Sequence, residues 1–295
     1  MLFTHFAPTP NVFAAARLGA VRTPMPMRTH AASRDTALVS GPTYSLYLSN
    51  DRGDIDTIGR LRYRVFADEP GFTAPESSRA DHCDTDRFDE YCDHLVVRHN
   101  HSGEVVGSYR LLPPPGAIAV GGPYLTTEFD ITELDVIAPQ TVEMGRACVD
   151  SEHRSGAVLA LMWSGILVYL ERNGYNYLMG ATSVPICTDP ERDRPGAQAR
   201  GIRDFARDRH TGPWQVFPHR RVELDGKGLD DIDPPQRLQL PPLLSGYLRM
   251  GAFICGEPAH DPDFGVADFV TVLDGQRANR RYLDRLRQVT SGEGR

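Results

Sequence analysis

The sequence predicts an α+β protein, a three-layer arrangement of helices around a mixed sheet, and three observations predict it. His94 to His99 and Glu104 to Leu112 are strand-like runs joined by Asn100-His101-Ser102-Gly103, a hairpin signal. Thr141 to Val149 reads as a strand that feeds an apolar helix-like run, Ala157 to Tyr169, through a short loop containing Gly156. Two late strands, Ala252 to Cys255 and Val266 to Leu273, follow a helix at Pro242 to Met250 that Gly251 ends. Strands and helices therefore interleave along the chain and must share a core.

With 295 residues the chain can bury a sizeable core in one large domain or two small ones. A net charge of -7 without a basic stripe excludes a general nucleic-acid binder. The five cysteines are scattered and odd in number, which is no disulfide framework and fits a reducing cytoplasm. Ser164 and Gly165 break the longest apolar run, Ala157 to Leu170, and it is too short to span a bilayer. It therefore reads as a buried helix.

Taken in order, residues 1–40 differ from the rest. Met1 to Arg34 carries four arginines and no acid, and Pro8, Pro10, Pro24 and Pro26 prevent a long helix. The expectation is a disordered basic tail, with a lipid-touching arm as the alternative, and one domain over 41–290. No secretory signal is expected, because no basic start precedes a clean apolar core. Thr43 to Ser49 reads as a strand. Asp51 to Phe66 reads as a helix capped by Asn50 or Asp51, with Arg62 and Phe66 four apart on one face. Pro70 to Ser78 is a loop.

Asp81 to Val97 begins with a dense run of acids. It reads as a solvated loop, or as a face where Asp86 and Asp89 hold an amino group. His82, Cys83, Cys92 and His94 match no standard zinc spacing, so no metal is expected. Arg110 lies near the end of the second hairpin strand, which Pro113-Pro114-Pro115-Gly116 stops. Thr126 to Val136 reads as a short helix, Tyr175 to Thr182 as a strand, part of Asp189 to His210 as a helix and His210 to Pro242 as loop. Arg277 to Gln288 reads as a closing helix.

The chemistry gathers at 141–169. Glu143 sits inside a strand, a costly place for a carboxylate unless it is paired or has a job. The loop Asp150 to Gly156 carries Arg154 and aims the N–H groups of a helix N-terminus forward, a natural anion seat. Together with Arg146, this suggests acyl transfer from a phosphopantetheine thioester. Glu143 and Arg146 are three apart, so they face one side only if the strand bulges at Gly145. Otherwise Arg146 pairs elsewhere, for example with an acid of Asp81 to Glu90.

LRYRVF (61–66), DTDRFDEYCDHLVV (84–97), VVGSYRLL (105–112), EMGRACV (143–149) and the stretch 240–269, in that order, resemble the hemolysin-related acyltransferases of the GNAT superfamily. The branch they resemble most is the bacterial ornithine N-acyltransferases. The same anchors are more distantly similar to acyl-homoserine-lactone synthases. The resemblance covers about residues 44–285. It implies the GNAT fold, a mostly antiparallel central sheet flanked by helices.

It also implies roles at matching positions. Glu143 would be the catalytic base and Arg146 its partner. Arg62, Phe66, Asp86, Asp89 and Arg110 would shape the acceptor pocket. Val149, Arg154, Gly156 and Ala157 would bind the phosphopantetheine arm, with backbone N–H groups near Ala147 to Val149 as oxyanion donors. The implied donor is acyl carrier protein, with coenzyme A as the alternative, and no cofactor bound permanently. The implied reaction is transfer of a long 3-hydroxy acyl chain to the α-amine of ornithine, in the cytoplasm or at the inner face of the membrane.

Two departures bear on substrate. Lactone synthases carry ExSRF where this chain has EMGRACV, and they lack the long C-terminal stretch. Both favour the lipid branch over a signal synthase acting on S-adenosylmethionine. A catalytically silent binding module is the reading from another class, and the intact set of candidate residues counts against it. The usual GNAT loop for acetyl-coenzyme A is only half present in Arg154-Ser155-Gly156-Ala157.

Overall fold

The computed structural model describes residues 36–68, 76–187 and 194–279, together with 281 and 284. The expected basic tail lies outside the described residues up to residue 35, and the expected closing helix does so for most of its length. Val39 and Ser40, expected in the tail, already form a strand.

The elements run β1 (Val39–Ser40), β2 (Tyr44–Ser49), α1 (Arg52–Ala67), α2 (Glu76–Asp81), β3 (Asp93–His99), β4 (Val105–Leu112) and α3 (Pro114–Val120). After β5 (Phe129–Asp130) come β6 (Thr141–Val149), α4 (Ala157–Asn173), β7 (Tyr177–Pro185) and α5 (Ala197–Arg209). Three short strands follow, β8 (Phe217–Pro218), β9 (Glu223–Leu224) and β10 (Lys227–Gly228). The chain then forms α6 (Pro242–Met250), β11 (Phe253–Asp261) and β12 (Val266–Asp274). Eight strands make the main sheet in the order β1-β2-β3-β4-β6-β7-β12-β11. Every neighbouring pair in it is antiparallel except β6 with β7.

Local chemistry explains the helices. The Asp51 carboxylate accepts hydrogen bonds from the N–H groups of Gly53 and Asp54 and so caps α1, a contribution of about 1 kcal/mol. Ile58, Leu61 and Val65 then form the buried stripe of α1, which packs on Val96, Val105 and Cys148 of the sheet. The opposite face of the sheet takes α4, whose Val158, Met162 and Ile166 are buried with Leu46, Leu95 and Val97. Gly165 has a reason there, because a Cβ would collide with Leu46. The Ser-Gly break in the apolar run is thus a packing contact. Helices α5 and α6 cover the second half of that face through Ile202, Leu244 and Phe269.

One expected element is different. Residues 126–136 are not a helix but 3₁₀ turns, Tyr124–Thr127 and Thr132–Val136, with β5 between them. Leu125, Phe129, Ile131 and Leu134 all pack against Met179, Val270 and Val272. Burying all four against a flat sheet requires the chain to turn repeatedly, which a regular helix with one apolar stripe cannot do. This segment lies on the α1 side of the sheet, and the two together frame the candidate site.

Candidate active site

Beneath α1 a network of charges is almost closed. Arg62 donates to Asp89 Oδ1 at 2.8 Å, and Arg110 donates to Asp86 Oδ1 at 2.6 Å and Asp89 Oδ1 at 3.3 Å. The second oxygen of Asp89 accepts from the Asp86 N–H, and Asp86 Oδ1 accepts from the Phe88 N–H. Burial alone would raise the Asp89 pKa. The charges of Arg62 and Arg110 win and hold it well below the usual carboxylate range.

His94 completes the network as a neutral ring. Burial, then the charge of Arg62, pulls its pKa down to about 4. Nε2 therefore carries the proton and donates to the Asp89 carbonyl at 3.0 Å, while Nδ1 accepts from Arg62 at 3.3 Å. A neutral imidazole also means that its 3.9 Å approach to Asp89 Oδ1 is no ion pair.

Arg62 is fully enclosed and Asp89 is 2% exposed. These two, expected to touch substrate, are paired with each other and present no surface to one. Asp86 is different: its Oδ2 accepts no hydrogen bond among the described residues and faces Arg146 at 3.7 Å. Asp84 Oδ2 likewise lies 3.4 Å from Arg146 without a hydrogen bond. Phe66 meets Phe264 edge to face at 6.0 Å, and the Arg146 guanidinium lies over the Phe264 ring at 5.2 Å and the Tyr124 ring at 5.6 Å.

The bulge that the Glu143–Arg146 spacing demands exists, one residue later than expected. Arg110 faces Gly145 and Ser108 faces Cys148, so β6 spends one more residue than β4 over this interval. Arg146 takes up the difference with a left-handed backbone, φ 53°. It thereby joins the α1 face and also pairs with Asp84 and Asp86, so both outcomes anticipated for it are realised together.

Glu143 lies two residues before Gly145 in the same register. It is buried, and its carboxylate accepts from the Tyr124 N–H at 2.6 Å and the Leu125 N–H at 2.7 Å. Burial outweighs those two hydrogen bonds and the charge of Arg110, and pushes the Glu143 pKa up to about 7. The same carboxylate pins the 124–125 turn and so sets the Tyr124 ring beside Arg146.

Pairing between β6 and β7 stops after Glu143 and Met179. Gly180 follows in β7, where a Cβ would meet the Met144 carbonyl. Beyond that point Ala147 to Val149 have no partners in β7. The chain then crosses Asp150 to Gly156, mostly exposed, and enters α4 through Gly156 at φ 90°. Arg154 donates to the Val149 carbonyl at 3.2 Å. These placements bring Val149, Arg154, Gly156 and Ala157 to one end of β6, apart from the charge network. A cleft of about 610 Å³ between α1, β4 and this loop includes Arg154 but none of Asp86, Glu143 or Arg146. Apolar residues of α4 pack in the core rather than toward this end.

Sequence reasoning missed a second acid group. Carboxylate oxygens of Glu128, Asp261 and Asp268 lie within 4.8 Å of one another. Asp268 is 3% exposed in β12, accepts from Ser183 at 2.6 Å and shares a hydrogen bond with Glu128. Burial, then the charge of Asp268, pushes the Glu128 carboxyl up, and Tyr124 hydrogen-bonds to it. Burial also pushes the Asp268 carboxyl up, against the Ser183 hydrogen bond. A signal did exist: an acid inside the apolar strand VADFVTV is the same anomaly that singles out Glu143.

Known proteins resemble this chain over most of its length. The GNAT acetyltransferase domain family matches residues 61–164. An L-ornithine N(alpha)-acyltransferase of Brucella abortus (strain 2308) is 32% identical over 265 residues, 85% of this chain and 92% of the relative. One of Rhodobacter capsulatus is 28% identical over 261 residues, 85% of this chain and 98% of the relative. An acyl-homoserine-lactone synthase of Rhizobium etli is 29% identical over 176 residues, 57% of this chain and 80% of the relative.

Proposed function

The chain belongs to the GNAT acyltransferase family of the L-ornithine N(alpha)-acyltransferases, and from that premise we propose that it moves a long 3-hydroxy acyl group from acyl carrier protein to the α-amine of ornithine, forming lyso-ornithine lipid. The observation that carries the reading is a buried carboxyl pushed up to about 7, Glu143, three residues before a partly exposed arginine, Arg146, at the β6 bulge.

In the reaction the amine nitrogen attacks the thioester carbon. The N–C bond forms, the C–S bond breaks, the amine proton leaves to a base and the thiolate takes up a proton. A base with a pKa near neutral suits the first transfer. Glu143 is that base. Each of its oxygens accepts one N–H and retains a second lone pair for the amine or a bridging water. Arg146, held loosely by Asp84 and Asp86, has donors to spare for the acceptor's carboxylate. Asp86 offers its unbonded oxygen to the α-ammonium before deprotonation, while Arg62, Asp89 and Arg110 hold Asp86 in place. The N–H groups of Ala147 to Val149 serve the oxyanion. Arg154 and the α4 N-terminus, opened by Gly156 and Ala157, serve the phosphopantetheine phosphate.

The product would be an amphiphile, and no helix among the described residues is long and apolar enough to cross a membrane. Contact with the inner membrane face is therefore peripheral in this reading, and flotation with anionic vesicles reads it directly. The test of the reaction mixes the protein with 3-hydroxyacyl carrier protein and, separately, ornithine, lysine, glycine or S-adenosylmethionine, with products read by mass spectrometry. A single acyl-ornithine product that Glu143→Ala abolishes is expected. Product from S-adenosylmethionine alone would replace this reading with a signal synthase.

A further inference from the structure

We infer that Glu128, Asp261 and Asp268 form the seat for the side-chain ammonium of the acceptor, and so select a diamino acid over a monoamino one. The inference deepens the proposed reaction and rests on it.

Three observations lead there. The acids are brought together from three separate elements: Glu128 follows the 124–127 turn, Asp261 ends β11 and Asp268 is the third residue of β12. No described arginine or lysine lies within ion-pair distance of any of them, and the charge of Arg146, which reaches Glu128 and Asp268 from farther off, does not offset their burial. Second, Glu128 Oε2 is enclosed and accepts no hydrogen bond among the described residues. A buried, unsatisfied carboxylate oxygen facing two more acids lacks a donor, and a cationic donor would satisfy all three. An ammonium offers three N–H donors, one for each acid.

The third observation is scale. The Tyr124 side chain touches both Arg146 and the acid group. Its face lies under the guanidinium at 5.6 Å, and its hydroxyl reaches Glu128. An α,δ-diamino acid has its carboxylate and side-chain ammonium five bonds apart, about 6 Å when extended. With its carboxylate on Arg146, such a molecule lies along the ring and delivers its far end to the acids. Asp261 is positioned for this by its own turn, where its Oδ1 accepts from the N–H groups of Asp263 and Phe264. That turn also places the Phe264 ring against Arg146.

A divalent metal is the rival occupant. Calcium takes six to eight oxygen ligands and magnesium holds to octahedral geometry, so three acids make a sparse cage for either.

The experiment compares ornithine with norvaline, the same chain without the side-chain amine, as acceptors for the parent and for Glu128→Gln, Asp261→Asn and Asp268→Asn. Thermal melting of each protein confirms folding. The parent is expected to favour ornithine by about 100-fold or more in kcat/KM, as a site built for a hydrogen-bonding group rejects an analogue that lacks it. In the variants that ratio should collapse toward one, mainly through a higher KM for ornithine. Equal use of both acceptors by the parent, or an unchanged ratio in all three variants, would overturn the inference and leave ornithine acylation standing. If the parent acylates neither amino acid but does acylate another amine, the reaction assigned above fails and this seat with it. Tight binding of calcium or magnesium by the parent, abolished in Asp268→Asn and not displaced by ornithine, would assign the acids to a metal instead.

Discussion

Two groups of buried and half-buried acids flank Tyr124, and they behave in opposite ways. Under α1, Asp84, Asp86 and Asp89 face Arg62, Arg110 and Arg146, three charges against three. There the Asp89 carboxyl is held down. On the far side of Tyr124, Glu128, Asp261 and Asp268 face one another, and the carboxyls of Glu128 and Asp268 are pushed up. Each group holds a deeply buried carboxyl, Asp89 at 2% and Asp268 at 3% exposure, so burial does not make the difference. Internal countercharge does. A group that ion-pairs with its own cations is a strut; a group that feels only Arg146, and that at longer range, awaits a cation from outside.

The largest expected effect breaks the strut. Asp89→Ala leaves Arg62 and Arg110 buried without their shared partner, and should cost about 3–5 kcal/mol in chemical denaturation. A loss below about 1 kcal/mol, the range of exposed pairs, would mean that the network is not the strut described. Asp268→Asn should do the reverse and raise stability at pH 8, because it removes a charge whose burial outweighs the Ser183 hydrogen bond and the charge of Arg146. Destabilisation of similar size in both variants would erase the contrast between the two groups.

Next in size is Glu143. Glu143→Gln keeps the shape, and turnover should fall by about 10²–10⁴-fold if the carboxylate is the base. The acid limb near pH 7 in the kcat/KM profile should vanish with it. A variant that keeps the limb would locate the base elsewhere.

The pH dependence of stability sharpens the comparison further. Glu143 has a folded pKa of about 7 against an ordinary value of 4.5, so between these the folded state holds a proton that the unfolded chain has lost. Stability from this group is present at low pH and is lost as pH rises through about 7. Glu128 and Asp268 act in the same direction. Asp89 acts oppositely: its contribution is present above 3.8 and is lost as pH falls through its lowered pKa. The melting temperature should therefore peak near pH 5 and decline by pH 8. A flat or rising profile from pH 5 to 8 would contradict the raised carboxyls.

The smallest effect concerns the bulge. Arg146→Gly relieves a left-handed backbone but strips Asp84 and Asp86 of their shared cation, so stability should fall by about 1 kcal/mol net while acceptor KM climbs. An unchanged KM would remove Arg146 from acceptor binding.

Much of this was legible in the sequence because it is local. Asp51 caps α1 as read, and the hairpin, β6, α4 and α6 fall where period, capping and glycine put them. The anomaly of Glu143 inside a strand was legible for the same reason. What the sequence could not determine depended on partners far along the chain. The turns of 124–136 look helical until a flat sheet claims Leu125, Phe129, Ile131 and Leu134 together. Asp86 and Asp89 look alike in DTDRFDEY, yet two arginines enclose Asp89 and leave Asp86 with an oxygen to spare. His94 is neutral because the fold buries it and presses Arg62 against it. Glu128, Asp261 and Asp268 span 140 residues and meet only when β11 and β12 close the sheet. Chain propensity decides where a strand or helix begins. Whether a buried charge is neutralised, and so whether it supports the fold or waits for a ligand, is decided by what the tertiary structure sets beside it.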